Sequence, residues 1–383
     1  MTGSLQPKNG VFYMVINTKT AEGKRKQKWV STGLTVKGNK RKAEQQLNAF
    51  LTEYGKNGYS EPSNVMFCDY MDSWVEQRRL KVQEKTHETN TFNLNKHIIP
   101  FFKKTGLSLA NVEPEIIKAY CDLKLTECRS PNTVIRQYAM IRAALNYAYK
   151  SRLIPSNPCD FVEKPKGEKY IAEFYNADDI KALLAVFKGS AIEVPVLIAA
   201  YFGLRRSEVI GLRWSALDLI NGSLTVRQKV VQVTQEGKRK NIISDKLKNF
   251  SSRRTLPLDD KLITVFSEIK KQQEYNREIC GNSYCTDYLD YICVNKMGEL
   301  INPETLSRQF SKTLRQNNMR VIRYHDLRHS CASLLLALGY SMKDLQEWLG
   351  HASMRTTADI YAHADPKNKG KMIRGLTSAL STE

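Results

Sequence analysis

No run of apolar residues in this sequence approaches the ~18 that a membrane-crossing helix requires. The opening Met1-Thr2-Gly3-Ser4 has none of the apolar stretch of a secretory signal. Both absences lead us to expect a cytoplasmic chain. The eight cysteines, Cys68, Cys121, Cys128, Cys159, Cys280, Cys285, Cys293 and Cys331, include no CxxC pair, which argues against a zinc finger and against a disulfide framework. Cys280, Cys285 and Cys293 are the one group worth weighing for zinc, and reduced thiols are the plainer reading. A GxxxxGK[ST] phosphate loop is missing, so ATP is not expected to drive the chemistry. Dense carboxylate clusters, internal repeats and long low-complexity segments are missing too. No cofactor and no metal are expected. Acidic residues are in deficit, 39 against 59 Lys+Arg, giving a formal charge of +20. A surplus of that size favours a polyanionic partner, nucleic acid first. A membrane surface is the rival, but no strongly basic amphipathic helix supports it.

What is present falls into three zones, and 383 residues leave room for two or three domains. Residues 1–58 begin with the alternating run Val11-Phe12-Tyr13-Met14-Val15-Ile16, a turn near Glu22-Gly23 and a second run, Lys28-Trp29-Val30-Ser31-Thr32. That pattern predicts a hairpin. Ala43, Leu47, Phe50 and Leu51 then follow a helical rhythm, and Phe12, Tyr13, Trp29 and Phe50 supply a small core. The first 60 residues hold 11 Lys/Arg and 3 Asp/Glu, so a basic DNA-binding module is expected. A polar linker, Gly55 to Asn64, leads to a helical zone over 65–160. There Phe67, Tyr70, Met71, Trp74 and Val75 mark one face. Ser130-Pro131 opens a helix carrying Val134, Tyr138, Ile141, Leu145 and Tyr149. Pro165-Lys166-Gly167 reads as a second linker. The third zone, 172–383, is mainly helical with strands over Leu224 to Val233 and Arg254 to Leu258.

The third zone holds the chemistry. In Gly203-Leu204-Arg205-Arg206-Ser207-Glu208, a carboxylate three residues after Arg205 is spaced to fix a guanidinium. His325-Asp326-Leu327-Arg328-His329-Ser330 opens a helix, with His325 and Arg328 three apart. A helix N-capped by Ser341 closes at Gly350, His351 follows, and Tyr361 comes ten residues later. Singly, these read as a surface ion pair, a structural HxxR and an amphipathic helix residue.

In this order, Arg205…His325-x-x-Arg328…His351…Tyr361 resembles the active-site signature of the tyrosine recombinases, and the resemblance covers the whole chain. The look is that of conjugative-transposon and phage integrases. It implies an α+β multidomain protein: a small three-stranded sheet plus helix for arm-type DNA (1–58), a helical, SAM-like core-binding domain (65–160), and a mainly helical catalytic domain with a small β-sheet (172–383). That family also has a hairpin lysine. Aligned back from Arg254-Thr255-Leu256-Pro257, it falls on Lys248, where Asn249 replaces the usual threonine and Lys246 is the reserve. The resemblance implies that Tyr361 attacks a DNA phosphate to form a 3′-phosphotyrosine. Arg205 and Arg328 would hold the phosphate, His325 would be the base, Lys248 would protonate the leaving 5′-oxygen and His351 would bond a phosphate oxygen, with Glu208 as support. It further implies double-stranded DNA with core and arm sites, a homotetramer on synapsed DNA that integrates and excises a mobile element, and, by analogy, an accessory excision factor. The alternatives are a type IB topoisomerase-like relaxing enzyme and a DNA-binding regulator that does not cut.

Overall fold

The structure is a computed structural model that describes residues 2–19, 25–57, 64–127, 130–168, 173–235, 238–244 and 253–350. The chain divides into two units, Met1–Lys169 and Tyr170–Glu383, and mixes helices with small antiparallel sheets.

The first unit opens with β1 (Thr2–Lys8), β2 (Val11–Lys19) and β3 (Arg25–Thr35), paired antiparallel in that order. β2 and β3 are the hairpin read from alternation; its turn near Glu22-Gly23 lies outside the described residues. β1 is the strand the sequence left unplaced. It joins β2 through Asn9-Gly10, both at positive φ (50° and 74°), the backbone a two-residue type I′ turn needs. Pro7 is accommodated because β1 is an edge strand. The helix α1 (Lys40–Asn57) runs two residues past Gly55, into the stretch read as linker. Met14, Ile16 and Leu47 form a core with Leu5, Val30, Phe50 and Leu51 against it. Trp29, expected in that core, is 46% exposed. Strand parity is the reason: Val30 pairs with Met14 on the helix side, so Trp29, opposite Val15, faces the other way. There its ring lies 6.3 Å from Tyr13 and 5.5 Å from the Lys8 ammonium.

The helical part comprises α2 (Phe67–Gln77), α3 (Glu84–Asn93), α4 (Ile99–Thr105), α5 (Pro114–Thr126) and α6 (Pro131–Lys150). α3 passes into α4 through a single π turn, Leu94–Ile98. Pro100 follows and has no N–H for the helical ladder, so the widened turn falls where the ladder is already broken. Phe67, Tyr70, Met71, Trp74 and Val75 are buried together, as their spacing implied. In α6, Val134, Tyr138, Ile141 and Leu145 are buried, but Tyr149, in the last turn, is exposed. Ser130 holds the N-cap position, yet its hydroxyl makes no capping bond. The expected second linker lies along α6: Asn132 Nδ2 donates to Glu168 O at 3.0 Å.

The second unit begins with α7 (Ala177–Phe187), α8 (Glu193–Phe202) and α9 (Arg206–Ile210). Five strands follow: β4 (Leu217–Asp218), β5 (Ser223–Val226), β6 (Lys229–Gln235), β7 (Lys238–Ser244) and β8 (Arg254–Pro257). The run expected as one strand over Leu224 to Val233 is two. β5 lies between β4 and β8, whereas among the described residues β6 pairs with β7 alone. The chain leaves the first sheet where Lys229 passes Gly211 so closely that a Cβ there would stand 2.9 Å from the Lys229 Cα. Among the described residues the helices α10 (Asp260–Cys280), α11 (Pro303–Gln316), α12 (Asp326–Ala337) and α13 (Met342–Leu349) follow. One apolar core joins Val196, Phe202, Val209, Leu224, Phe266 and Phe310 beneath α12. Among the described residues no helix is long and apolar enough to cross a membrane.

Candidate active site

Gly203 ends α8 at φ 59°, and a Cβ there would stand 2.7 Å from Leu349 Cδ2 and 3.2 Å from Cys331 Sγ. A side chain is excluded by backbone and by space alike. The chain then turns through buried Leu204 into Arg205, which is extended (φ −66°, ψ 146°) just before α9.

Arg205 meets a carboxylate that is itself shared. Glu208 is 2% exposed. Its Oε1 accepts from Arg205 Nη1 at 2.6 Å, and its Oε2 accepts from Arg205 N and from Arg254 Nη2, both at 3.1 Å. The spacing of Arg205 and Glu208 foretold the first pair; Arg254 comes from β8. Arg328, in the first turn of α12, is also buried, and its Nη1 donates to Gly203 O at 2.9 Å.

All three guanidiniums converge on the end of α13. Arg254 Nε donates to Trp348 O at 2.7 Å, Arg328 Nη2 to Leu349 O at 2.7 Å and Arg205 Nη2 to Gly350 O at 3.0 Å. The last carbonyls of a helix have no partner within it and carry the negative end of its dipole. Here three consecutive carbonyls are each taken by a different arginine. α13 is capped at its start by the Ser341–Asp344 box and closed by Gly350 at φ 67°, so the chain leaves it toward residue 351 from a clamped point.

Three cations against one carboxylate leave this cluster with two positive charges in excess. A guanidinium has five N–H groups. Arg205 and Arg328 each give two of theirs to partners, and the other three on each meet no acceptor among the described residues. Burial, then the charge of Arg205, push the Arg328 guanidinium down to about 9, with Glu208 opposing. Burial would raise the Glu208 carboxyl, but Arg254, Arg205 and Arg328 outweigh it and hold it below the usual range. The Glu208 shift follows from the three surrounding arginines, whereas burial leads in the Arg328 shift and the repulsion from Arg205 adds to it.

The start of α12 is braced separately. Asp326 is fully buried and takes Arg323 in a fork, Nη2 to Oδ1 at 2.8 Å and Nε to Oδ2 at 3.1 Å. Ser330 Oγ donates to Asp326 O and accepts from Tyr175 N. His325, at the helix entrance, lies edge-on to His329 with ring centroids 5.5 Å apart. Desolvation, then His329 and Arg328, push the His325 imidazole down to about 4. His329 is lowered as well, by burial first. Neutral in the fold and able to charge when unfolded, both contribute stability that is complete above pH ~6.5 and is lost as pH falls below it, for His325 down to about 4. Melting temperatures of the DNA-free protein should therefore drop between pH 7.5 and 5, and His325→Gln with His329→Gln should flatten that slope; an unchanged slope would contradict the assignment.

Lys248, its reserve Lys246, His351 and Tyr361 lie outside the described residues. Of the six residues singled out, the structure brings Arg205 and Arg328 together and sets His325 beside Arg328. Arg254 was missed as a site residue, although the sequence held a signal for it. Along β8, Thr255 is exposed and Leu256 buried, so period-two alternation puts Arg254 on the inward face with Leu256 and sends Arg253 out.

Residues 173–368 match the phage integrase family and residues 66–165 match the phage integrase SAM-like domain. The chain belongs to the phage integrase family. It is accordingly a tyrosine recombinase, a site-specific DNA recombination enzyme. The integrase is 26% identical over 360 residues to a XerC-like tyrosine recombinase of Caldanaerobacter subterraneus subsp. tengcongensis, covering 90% of each chain. It is 22% identical over 346 residues to the ICEBs1 integrase of Bacillus subtilis, covering 89% of this chain and 90% of that one. In fold it resembles the Tn1549 transposon integrase solved with a circular intermediate DNA, at a TM-score of 0.68 and 18% identity over 82% of this chain and 99% of that one. The lambda integrase tetramer solved on a Holliday junction gives a TM-score of 0.52 at 18% identity, over 91% and 95% of the two chains.

Proposed function

We propose that the integrase moves a mobile element into and out of DNA, with Tyr361 as nucleophile and Arg205 and Arg328 gripping the scissile phosphate. The observation that carries this reading is the excess positive charge at the end of α13, with N–H groups of both arginines that meet no acceptor among the described residues. Attack on a phosphodiester builds negative charge on oxygens that already repel nucleophiles. Donors fixed in advance stabilise that charge without reorganising, commonly the largest catalytic contribution, and a guanidinium fork matches two phosphate oxygens. A tyrosine of pKa ~10 must lose its proton to attack. His325 is neutral at physiological pH and is the base in this reading; a bound phosphate, by offsetting the charge of Arg328, would raise its basicity above the depressed value of the DNA-free site. Lys248, or Lys246 in reserve, protonates the leaving 5′-oxygen, and His351 bonds a phosphate oxygen. The test is a nicked suicide substrate bearing the core site, in the presence of EDTA. The reading expects a covalent protein–DNA adduct and joining of the cut strand to a second duplex. Relaxation without joining would indicate a topoisomerase-like enzyme, and binding without an adduct a regulator.

The same reading assigns residues 1–58 to arm-type DNA, 65–160 to the core site and 172–383 to catalysis, within the cytoplasm. What supports the arm module is the face of the sheet turned away from α1, where Tyr13, Trp29 and Lys8 lie exposed or half-buried among polar side chains. Such a face can approach a duplex with charge and hydrogen-bonding groups together. Deleting residues 1–60 is expected to abolish arm-site gel shifts while core-site cleavage stays detectable; arm binding by the truncated protein would refute the module. Binding should also weaken steeply with salt as counterions are released.

The lambda integrase assembly suggests, by analogy, four protomers on two DNA sites, and an accessory excision factor belongs to the same analogy. Leu338 and Tyr340 are exposed beside Leu335, Leu336 and Met342 at the α12–α13 corner. This apolar surface is suited to the final segment of a neighbouring protomer, where Met372, Ile373, Leu376 and Leu380 recur at helical spacing. Truncation after Ala364 should weaken tetramer formation on synapsed DNA in light scattering, and undiminished assembly would count against this docking.

A further inference from the structure

We infer that Arg254 is a positioning residue for the phosphate-binding arginines: it keeps Glu208 from neutralising Arg205 and ties that pair to the end of α13. The inference rests on Arg205 being a phosphate ligand.

The geometry supplies both halves. Glu208 Oε2 is shared between the Arg205 backbone N–H and Arg254 Nη2, while Oε1 takes the Arg205 side chain. Were Arg254 absent, the whole carboxylate charge would fall to Arg205, and the excess facing an incoming phosphate would drop from two charges to one. The same guanidinium, through Nε, holds Trp348 O. The planar fork holds both acceptors from two separate nitrogens in a fixed plane, whereas the donors of a lysine radiate from one nitrogen on a flexible stem. Arg254 is buried, its side chain 6% exposed, so it acts on DNA only through its partners. It also begins β8 only two residues after the segment 245–252, which carries both candidate lysines. One side chain therefore joins the start of β8, the support of Arg205 and the end of α13.

The experiment is single-turnover cleavage of the suicide substrate at saturating DNA, with DNA affinity and melting temperature measured alongside, for full-length Arg254→Lys, Arg254→Gln, Glu208→Gln and the double variant. Wild-type adduct formation, lost in Tyr361→Phe, is established first, so a failure of the catalytic reading is separable from a failure of this one. Arg254→Lys keeps the charge and is expected to fold, cleaving about 3- to 30-fold slower with its DNA affinity within about threefold of wild type. Arg254→Gln should lose about 100-fold, and the double variant should be no worse than the more damaged single, because both act through one carboxylate. A wild-type rate for Arg254→Lys would overturn the inference, whether or not Arg254→Gln folds. So would a double variant whose loss equals the product of the two single losses.

Discussion

Arg328→Lys is expected to slow formation of the covalent adduct by about 10²- to 10³-fold at saturating DNA. Arg328 Nη1 and Nη2 reach Gly203 O and Leu349 O at once, and the remaining N–H groups of that fixed plane are the ones available to a phosphate. A lysine ammonium can satisfy one carbonyl, or turn toward the phosphate, but cannot do both from the same place. Losing one carbonyl bond in this buried setting costs about 1–3 kcal/mol. Keeping a cation leaves the mutual repulsion with Arg205 and Arg254 in place. The melting temperature should therefore fall modestly while the rate collapses. Quantified adduct bands over time, with melting curves on the same preparations, check this. A rate loss no greater than the fraction unfolded would mean that Arg328 is only structural.

The largest effect belongs to the nucleophile. Tyr361→Phe removes one oxygen, so DNA affinity should stay within about twofold, while the adduct falls below detection because no other group supplies the attacking atom. EDTA should leave the wild-type rate unaltered, since the charges that offset the phosphate come from guanidiniums. Trypsin digestion of the adduct followed by mass spectrometry should find the nucleotide on the peptide containing Tyr361. Attachment to any other residue, or an adduct that survives Tyr361→Phe, would contradict the assignment.

The sequence disclosed more of the helices than of the small sheets. Amphipathic spacing located α2, α6 and α12 because each presents one stripe to a core, and cap chemistry located α13 because Ser341 and Gly350 act locally. It failed where a residue's fate depends on which strand lies beside it. Trp29 was assigned to the core on hydrophobicity, but its register with Val15 turns it outward. The Leu224 to Val233 run looked continuous because the change of sheet at Lys229 is set by Gly211, distant in sequence. β1 was left unplaced because Leu5 is its only large apolar residue, although Asn9-Gly10 marked the turn that follows it.

The candidate site shows the same division. Arg205 with Glu208, and His325 with Arg328, lie three residues apart, so helical spacing was enough to pair them. Arg254 joins Glu208 across 46 residues, and the carbonyls of Trp348, Leu349 and Gly350 carry no side-chain signature at all. Nothing local in the sequence says that three arginines from α12, β8 and the turn after α8 share one helix end. That convergence is a property of the fold, and it makes the excess charge visible.

The most direct measurement replaces the scissile phosphate with a methylphosphonate, which is neutral but otherwise similar in shape. If Arg328 acts by offsetting the phosphate's charge, Arg328→Ala should be nearly inactive on the normal phosphate and recover much of its adduct formation on the neutral one, relative to wild type on the same substrate. Equal loss on both substrates would show that the charge of Arg328 is not what the reaction uses, and the account of this site would be wrong.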